Sequence, residues 1–208
     1  MGHATPPPQS RKPAAKPKDG PDQIKVIIKR SLFVLDSGHD TRQPAGAVST
    51  PQEEASMPVS SVPAGYHSVT PYLIVNGASR ALSWYAGAFG GSEVMRVVAP
   101  SGCVGHAEID IAGSRVMLAD EHPDSGAHGP GAYGGSPVSI HLYVPDVDAV
   151  MQTAAAAGAT IKSPAEDKFY GDRLGSLLDP FGHTWHIATR IEDVPLEEIE
   201  RRLAAMAC

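Results

Sequence analysis

Apolar and polar positions between residues 66 and 190 follow one order twice. Val69 to Val75 alternates and is bounded by Pro and Gly, which predicts a half-buried strand. Within Gly77 to Phe89, residues Ala78, Ala81, Leu82, Tyr85 and Phe89 recur at helical spacing, and Gly90-Gly91 ends that helix. Glu93 to Val98 and Val104 to Ile111 alternate again, and Gly113 to Asp120 reads as a fourth strand. The order then returns. Val138 to Val144 is a strand, and Asp146 is placed to cap a helix over Val147 to Ala157, which Gly158 closes. Two or three strands follow, the last carrying Gly182-His183-Thr184-Trp185-His186-Ile187. Such an internal duplication predicts a closed pair of half-barrels with a pocket where the halves meet.

Three segments lie outside the repeat. Glu121 to Pro137 is dense in Gly, Pro, Ser and His and is expected to be a long loop between the halves. From Pro195 onward, Leu196, Ile199, Leu203 and Met206 share one helical face, expected to dock on the body of the chain or on a second subunit, the former being favoured. Residues 1–65 are read as a disordered tail: 1–23 are rich in Pro, Lys, Ala and Gly, Ile24 to Leu35 is a short apolar interlude, and 36–65 return to Ser, Pro, Gly and Glu. Met57 stands just ahead of the patterned chain and is expected to be its natural start, with residues 1–56 an upstream extension.

Bulk properties narrow the function. The 208 residues are 42% hydrophobic, enough for a core. Eight Lys/Arg and six Asp/Glu fall in residues 1–56, against nine and seventeen in the rest, so the body is acidic. An acidic body argues against nucleic acid as a partner. No apolar run is long enough to span a bilayer, and no secretory signal opens the chain. Cys103 and Cys208 form no metal or disulfide pattern, so a reduced cytoplasmic protein is expected. No phosphate-cradling glycine loop, dinucleotide fingerprint or Ser-His-Asp set is present.

Several short motifs occur in a fixed order. They are Thr70-Pro71-Tyr72-Leu73, Trp84-Tyr85, Ala88-Phe89-Gly90, His141-Leu142-Tyr143-Val144 with Asp146-Val147-Asp148, Phe169-Tyr170-Gly171-Asp172-Arg173, and Asp179-Pro180-Phe181-Gly182-His183. Each is weak alone; at these intervals the chain from about Tyr66 to Arg201 resembles the vicinal oxygen chelate superfamily, the glyoxalase/bleomycin-resistance/dioxygenase proteins. It is most similar to the PhnB-like branch. The resemblance implies an α+β fold of paired βαβββ modules, about 66–120 and 137–190, forming a cup-shaped mixed sheet within a domain 66–208 that ends in a helix over 195–206. It also implies a homodimer and a small-molecule ligand. In the superfamily's metal-dependent members four strands each give one inward ligand to a metal that holds two substrate oxygens.

Carried onto this chain, those four positions fall at Thr70, Met117, Ser139 and His186. Only His186 is an ordinary metal ligand, which puts the family's metal chemistry in question. Side chains two apart on a strand share a face, so Tyr72 should join Thr70, and His141 should join Ser139. A shifted divalent cation held by His141, His186 and Glu108, or by His106 in its place, is one reading. The other makes His141 and Tyr72 polar lining of an organic pocket. His186 and His141 are the expected catalytic residues, as ligand or general base. Thr70, Tyr72, Met117, Ser139, Tyr170 and Arg173 are the expected pocket residues, although an ion pair of Arg173 with Asp172 or Asp179 competes with that role. Asp179 to Gly182 is read as turn chemistry. Function follows the same fork. A lyase, isomerase or dioxygenase acting on adjacent oxygens is one branch, and a binder that sequesters an organic compound is the other. An interaction protein with a vestigial pocket is a third.

Overall fold

Asp120 closes the first repeat and also begins its helix. In the computed structural model, which describes residues 59–206, Asp120 Oδ1 accepts from the backbone N–H groups of Gly77 and Ala78, at 2.9 and 2.7 Å. Its Oδ2 accepts from Val104 N at 2.7 Å. The helix these bonds start has a glycine at its N-cap and no side-chain cap of its own, so a carboxylate from a distant strand satisfies the free donors. Of the expected tail 1–65, residues 1–58, with the interlude at Ile24 to Leu35 and the start at Met57, lie outside the described residues, as do 207–208, while 59–65 are described and turn at Pro63.

The first repeat comprises β1 (Tyr72–Val75), α1 (Ala78–Phe89), β2 (Ser92–Val98), β3 (Val104–Ile111) and β4 (Ser114–Asp120). The second comprises β5 (Ser139–Tyr143), α2 (Val147–Ala156), β6 (Thr160–Asp167), β7 (Asp172–Leu178) and β8 (Thr184–Arg190), followed by α3 (Leu196–Met206). The sheets have equivalent orders, β1-β4-β3-β2 and β5-β8-β7-β6. In each, the first pair is parallel and the others antiparallel. The two βαβββ modules are therefore copies in topology as well as in sequence pattern. Asp146 caps α2 as expected, accepting from Ala149 N at 3.0 Å.

Some boundaries differ from the sequence reading. β1 starts at Tyr72 rather than Val69, because Pro71 has no N–H for the ladder and contributes only its carbonyl, which accepts from Met117 N at 2.9 Å. The connection from 121 to 137 contains two short 3-10 turns, Pro123–Ser125 and Pro130–Tyr133.

The apolar face of α1 buries Ala78, Ala81, Leu82, Tyr85, Ala88 and Phe89. They join Leu73, Val75, Ile109 and Leu118 of the first sheet and Met151, Leu177, Trp185 and Ile187 of the second module in one core. Tyr85, Phe89, Phe181 and Trp185 pack as a cluster with ring centroids 4.8–5.9 Å apart. Trp84 Nε1 donates across to Ala157 O at 2.9 Å. The surface through which the halves touch is thus filled, and the pocket expected where they meet is not at that surface. Both helical faces are apolar, and burying one on the other removes most apolar area from water.

α3 departs from expectation. Its apolar stripe was expected to dock within the chain, yet Leu196, Leu203 and Met206 are exposed and no residue of the helix is buried. Arg202 holds it instead, pairing with Glu192 and Glu198 at 2.7 Å and donating to Phe169 O at 3.1 Å. The polar side of the helix faces the body, and of the stripe only Ile199 is partly buried.

Candidate functional site

Strand periodicity divides each sheet into a face against the helices and an open face. On the second sheet Trp185, Ile187, Leu142 and Leu177 take the helix side and are buried. The alternate positions form an open row, in which His141 lies opposite His186 and His186 opposite Ser176. The His141 and His186 rings are near-parallel, with centroids 6.2 Å apart. Tyr143 flanks them at 4.7 Å from His141 and donates its hydroxyl to Asp172 Oδ2 at 2.8 Å. Burial lowers the His141 pKa, and the nearby charge of His186 lowers it further against an opposing pull from Asp172. A neutral imidazole at neutral pH is a proton acceptor and a potential metal ligand. Ser139, two residues before His141, shares its face and is exposed.

The first sheet has the equivalent row. Tyr72 lies opposite Met117, and Met117 opposite Glu108. His106 and Arg115 are two residues along their strands and share this face. Glu108 is buried and is the hub of the group. It accepts from Tyr66 Oη and from His106 Nε2, the latter at 3.1 Å, with Arg115 Nη1 at 3.6 Å. His106 Nδ1 in turn meets Tyr72 Oη at 3.2 Å. Burial raises the Glu108 pKa, but bonds from Tyr66 and His106 and the charges of His106 and Arg115 outweigh it and hold the carboxyl below its ordinary value. Burial also pushes the Tyr72 phenol up.

Of the residues expected to act together, His141, His186 and Ser139 share one open face and Tyr72 and Met117 the other. Thr70 precedes β1 and donates its hydroxyl to His67 O at 3.1 Å. Tyr170 sits in the β6–β7 turn edge-on against Phe169, with ring centroids 5.2 Å apart.

Two expectations fail. Within one chain Glu108 does not join the two imidazoles, because it belongs to the other sheet and is engaged by Tyr66, His106 and Arg115. Among the described residues no group of three or more His, Cys, Asp or Glu side chains is placed to hold a metal ion. Two imidazoles alone are half of a tetrahedral shell, so the chain's donor set does not by itself fit the metal the resemblance allows. Arg173 is not in the pocket: it forks onto Asp148 of α2 at 2.7 and 2.8 Å and onto Asp167 at 2.8 Å, joining β7 to α2 and β6. Its register partner Thr189 faces α2, where its hydroxyl accepts from Val147 N.

Sequence reasoning missed Tyr66, Arg115, Tyr143 and Asp172. Counting by two from Met117 reaches Arg115, and from His141 reaches Tyr143. No pattern marks Tyr66, which folds back from outside any element. An open cleft of about 450 Å³, lined by Asn76, Arg80, Glu121 and Phe181 among others, touches neither row.

The family model described as the Glyoxalase/Bleomycin resistance protein/Dioxygenase superfamily matches residues 65–187. An uncharacterized protein of Mycobacterium bovis is 40% identical over 141 residues, covering 66% of this chain and 93% of that protein. An uncharacterized protein of Mycobacterium tuberculosis is 40% identical over the same length, covering 66% of this chain and 83% of that one. A crystal structure of a Pseudomonas aeruginosa protein, 23% identical, superposes with a TM-score of 0.51 over 60% of this chain and 98% of that chain, and so shares the fold. No helix among the described residues is long and apolar enough to cross a membrane. With two topologically identical βαβββ modules and a family model spanning both, the chain belongs to the glyoxalase/bleomycin resistance protein/dioxygenase superfamily.

Proposed function

We propose that this chain is a small-molecule-binding protein of the PhnB-like branch. Its ligand lies over the open sheet faces, and His141 and His186 exchange protons with it. The observation that carries this reading is the His141–His186 row. Two imidazoles stand side by side on a face that no helix among the described residues covers, and burial biases one of them toward its neutral, proton-accepting form. Tyr143 and Ser139 supply hydroxyl groups on the same face for orienting polar atoms of a ligand.

The cup is completed by a second copy. Within one chain the modules touch through their helices, and among the described residues no helix covers either open face. Tyr72, Met95 and Tyr143, which the register puts on those faces, are 47%, 41% and 55% exposed. Large apolar side chains gathered on one side of a sheet favour a covering partner. A homodimer that sets the first sheet of one copy against the second sheet of the other would enclose the ligand between the two rows.

A metal-dependent lyase, isomerase or dioxygenase is the second reading, since His141 and His186 are two ordinary ligands at adjacent register. It requires further donors from the ligand or from the other copy. Protein prepared without a histidine tag separates the two. Light scattering should give twice the 21.8 kDa chain mass. A thermal-shift screen of small organic compounds should find stabilising ligands whose effect is lost on His186→Ala. One equivalent of transition metal per protomer, lost on the same substitution, would favour the enzyme. A monomer that no organic compound stabilises would overturn the proposal.

A further inference from the structure

One side chain on the open face of the first sheet comes from outside the sheet. The backbone turns between Pro63 and Tyr66, where Tyr66 N donates to Pro63 O at 3.2 Å, and brings Tyr66 back over β3 and β4. Its ring lies 5.1 Å from the Arg115 guanidinium, and its hydroxyl donates to Glu108. Gly65 passes so close to Arg115 that a Cβ there would meet Nη2 at 3.0 Å.

The seat beneath Tyr66 selects a particular chemistry. Arg115 is a partly buried cation whose Nε and Nη1 atoms are buried and meet no hydrogen-bond acceptor among the described residues. At 3.6 Å its approach to Glu108 is an ion pair but not a hydrogen bond. A guanidinium left this way offers its flat face, which an electron-rich aromatic ring fills well. Glu108 is 5% exposed, and His106 already donates to its Oε1. An ionised carboxylate only accepts, so the oxygen that Tyr66 reaches takes a hydroxyl or N–H donor and repels another anion. Half-exposed Tyr72 and half-buried Met117 continue the same row and give an apolar floor beside the seat. Ring face, carboxylate and floor together describe a phenol.

We propose that this seat binds a hydroxyaromatic small molecule and that Tyr66 is its built-in occupant. The strap of residues 63–66 swings out when the phenol of a ligand takes the place of the Tyr66 phenol. No covalent bond changes: one aryl hydroxyl bond to Glu108 replaces another. The inference rests on the reading of this fold as a small-molecule binder, and it adds the ligand class and a second contact surface, distinct from the histidine row.

The probe is p-cresol, with toluene as the analogue lacking the hydroxyl, titrated calorimetrically into the full chain and three variants. Tyr66→Ala vacates the seat and should bind p-cresol about tenfold more tightly than it binds toluene, the discrimination expected of one hydrogen bond to a charged acceptor. The Tyr66→Ala/Glu108→Gln double variant should narrow that preference, because a neutral amide oxygen accepts more weakly than a carboxylate. The unaltered chain should bind p-cresol more weakly than Tyr66→Ala, because Tyr66 competes, and p-cresol should shift the amide resonances of residues 65 and 66. Tyr66→Phe keeps the ring and drops the hydroxyl, so it decides the matter if the alanine variant does not fold; p-cresol should bind it more tightly than the unaltered chain. Equal affinity of folded Tyr66→Ala for p-cresol and toluene, or p-cresol binding indifferent to residue 66, overturns the seat. Ligands that stabilise the protein through His186 while p-cresol fails would remove the seat alone. Binding of p-cresol with no ligand at the histidine row would remove the earlier reading and leave the seat.

Discussion

The Tyr85 hydroxyl, on α1 of the first module, donates to Asp179 Oδ2 in the turn before β8 of the second, at 2.6 Å in the interior of the core. Asp179 is 3% exposed, yet each of its lone-pair directions is used. Trp185 Nε1 reaches Oδ2 at 2.9 Å, and the backbone N–H groups of Phe181 and His183 reach Oδ1 at 2.9 Å. A buried carboxylate is tolerated when its acceptor sites are filled in this way. Burial, together with the charge and hydrogen bond of Asp179, pushes the Tyr85 phenol far up, so it remains a donor at any pH the fold survives.

Removing that donor tests whether the node joins the modules. Tyr85→Phe leaves the ring in its stack and deprives Asp179 of one partner, which should cost about 1–3 kcal/mol. Urea denaturation followed by tryptophan fluorescence would measure it. A change below about 0.5 kcal/mol, the range of an ordinary surface substitution, would show that the bond is incidental.

Periodicity made the elements legible and left their partners hidden. The spacing of Ala78, Ala81, Leu82, Tyr85 and Phe89 marked the buried face of α1, and Asp146 was identifiable as a cap because its acceptor and donor are three residues apart. Asp120, which caps α1, lies more than forty positions away, and no local pattern could tie the two. The pairing of His141 with His186 on one face followed from the inward positions that the resemblance assigns to Ser139 and His186, with alternation placing His141 on the face of Ser139. Glu108 was misplaced because alternation assigns a face of one sheet and does not say which sheets face one another. Arg173 was read with Asp172 and Asp179, its sequence neighbours, whereas its partners Asp148 and Asp167 come from an adjacent helix and strand. The stripe on α3 marked an amphipathic helix correctly and did not reveal that Arg202 would anchor its other side.

His141 should titrate below the ordinary histidine range. Its folded pKa is depressed first by burial and then by the charge of His186, so the folded state binds its proton less readily than the unfolded chain does. The stabilising contribution is fully present above the unfolded value of about 6.5 and is lost as pH falls through the folded value. His186→Ala removes the like charge and should move the His141 titration upward in a proton NMR experiment. A downward or unchanged midpoint would show that the two rings do not share an electrostatic environment.

Gly171 and Gly126 both have positive φ, at 100° and 80°, but differ in what surrounds them. A side chain at Gly171 would run into the Glu192 carbonyl and meet Val194 Cγ2 at 2.8 Å, whereas Gly126 has nothing within 4 Å. The Gly171 carbonyl also accepts from Ile191 and Glu192, each at 2.9 Å, so the β6–β7 turn cannot shift freely. Gly126→Ala carries only backbone strain and should cost about 1–2 kcal/mol, while Gly171→Ala adds overpacking of about 1–3 kcal/mol. Thermal denaturation of the two variants side by side decides it, and equal losses would count against the close approach at Gly171.

Arg202 should control the order of α3 without controlling the fold. Its guanidinium bridges Glu192, Glu198 and the Phe169 carbonyl, and the Glu198 carboxyl, bonded by Arg201 and Arg202, is drawn down to about 2. These groups are solvent-facing, so their contribution to global stability is small. Of the apolar stripe, Leu196, Leu203 and Met206 face away from the body and only Ile199 is partly buried. Arg202→Met keeps the length of the side chain and removes every one of these bonds. Amide exchange over residues 196–206 should then rise toward that of an exposed segment, while β8, buried through Trp185 and Ile187, keeps its protection. Unchanged exchange in α3 would mean that something other than Arg202 holds the helix, and a second copy seated on the exposed stripe would be the first place to look.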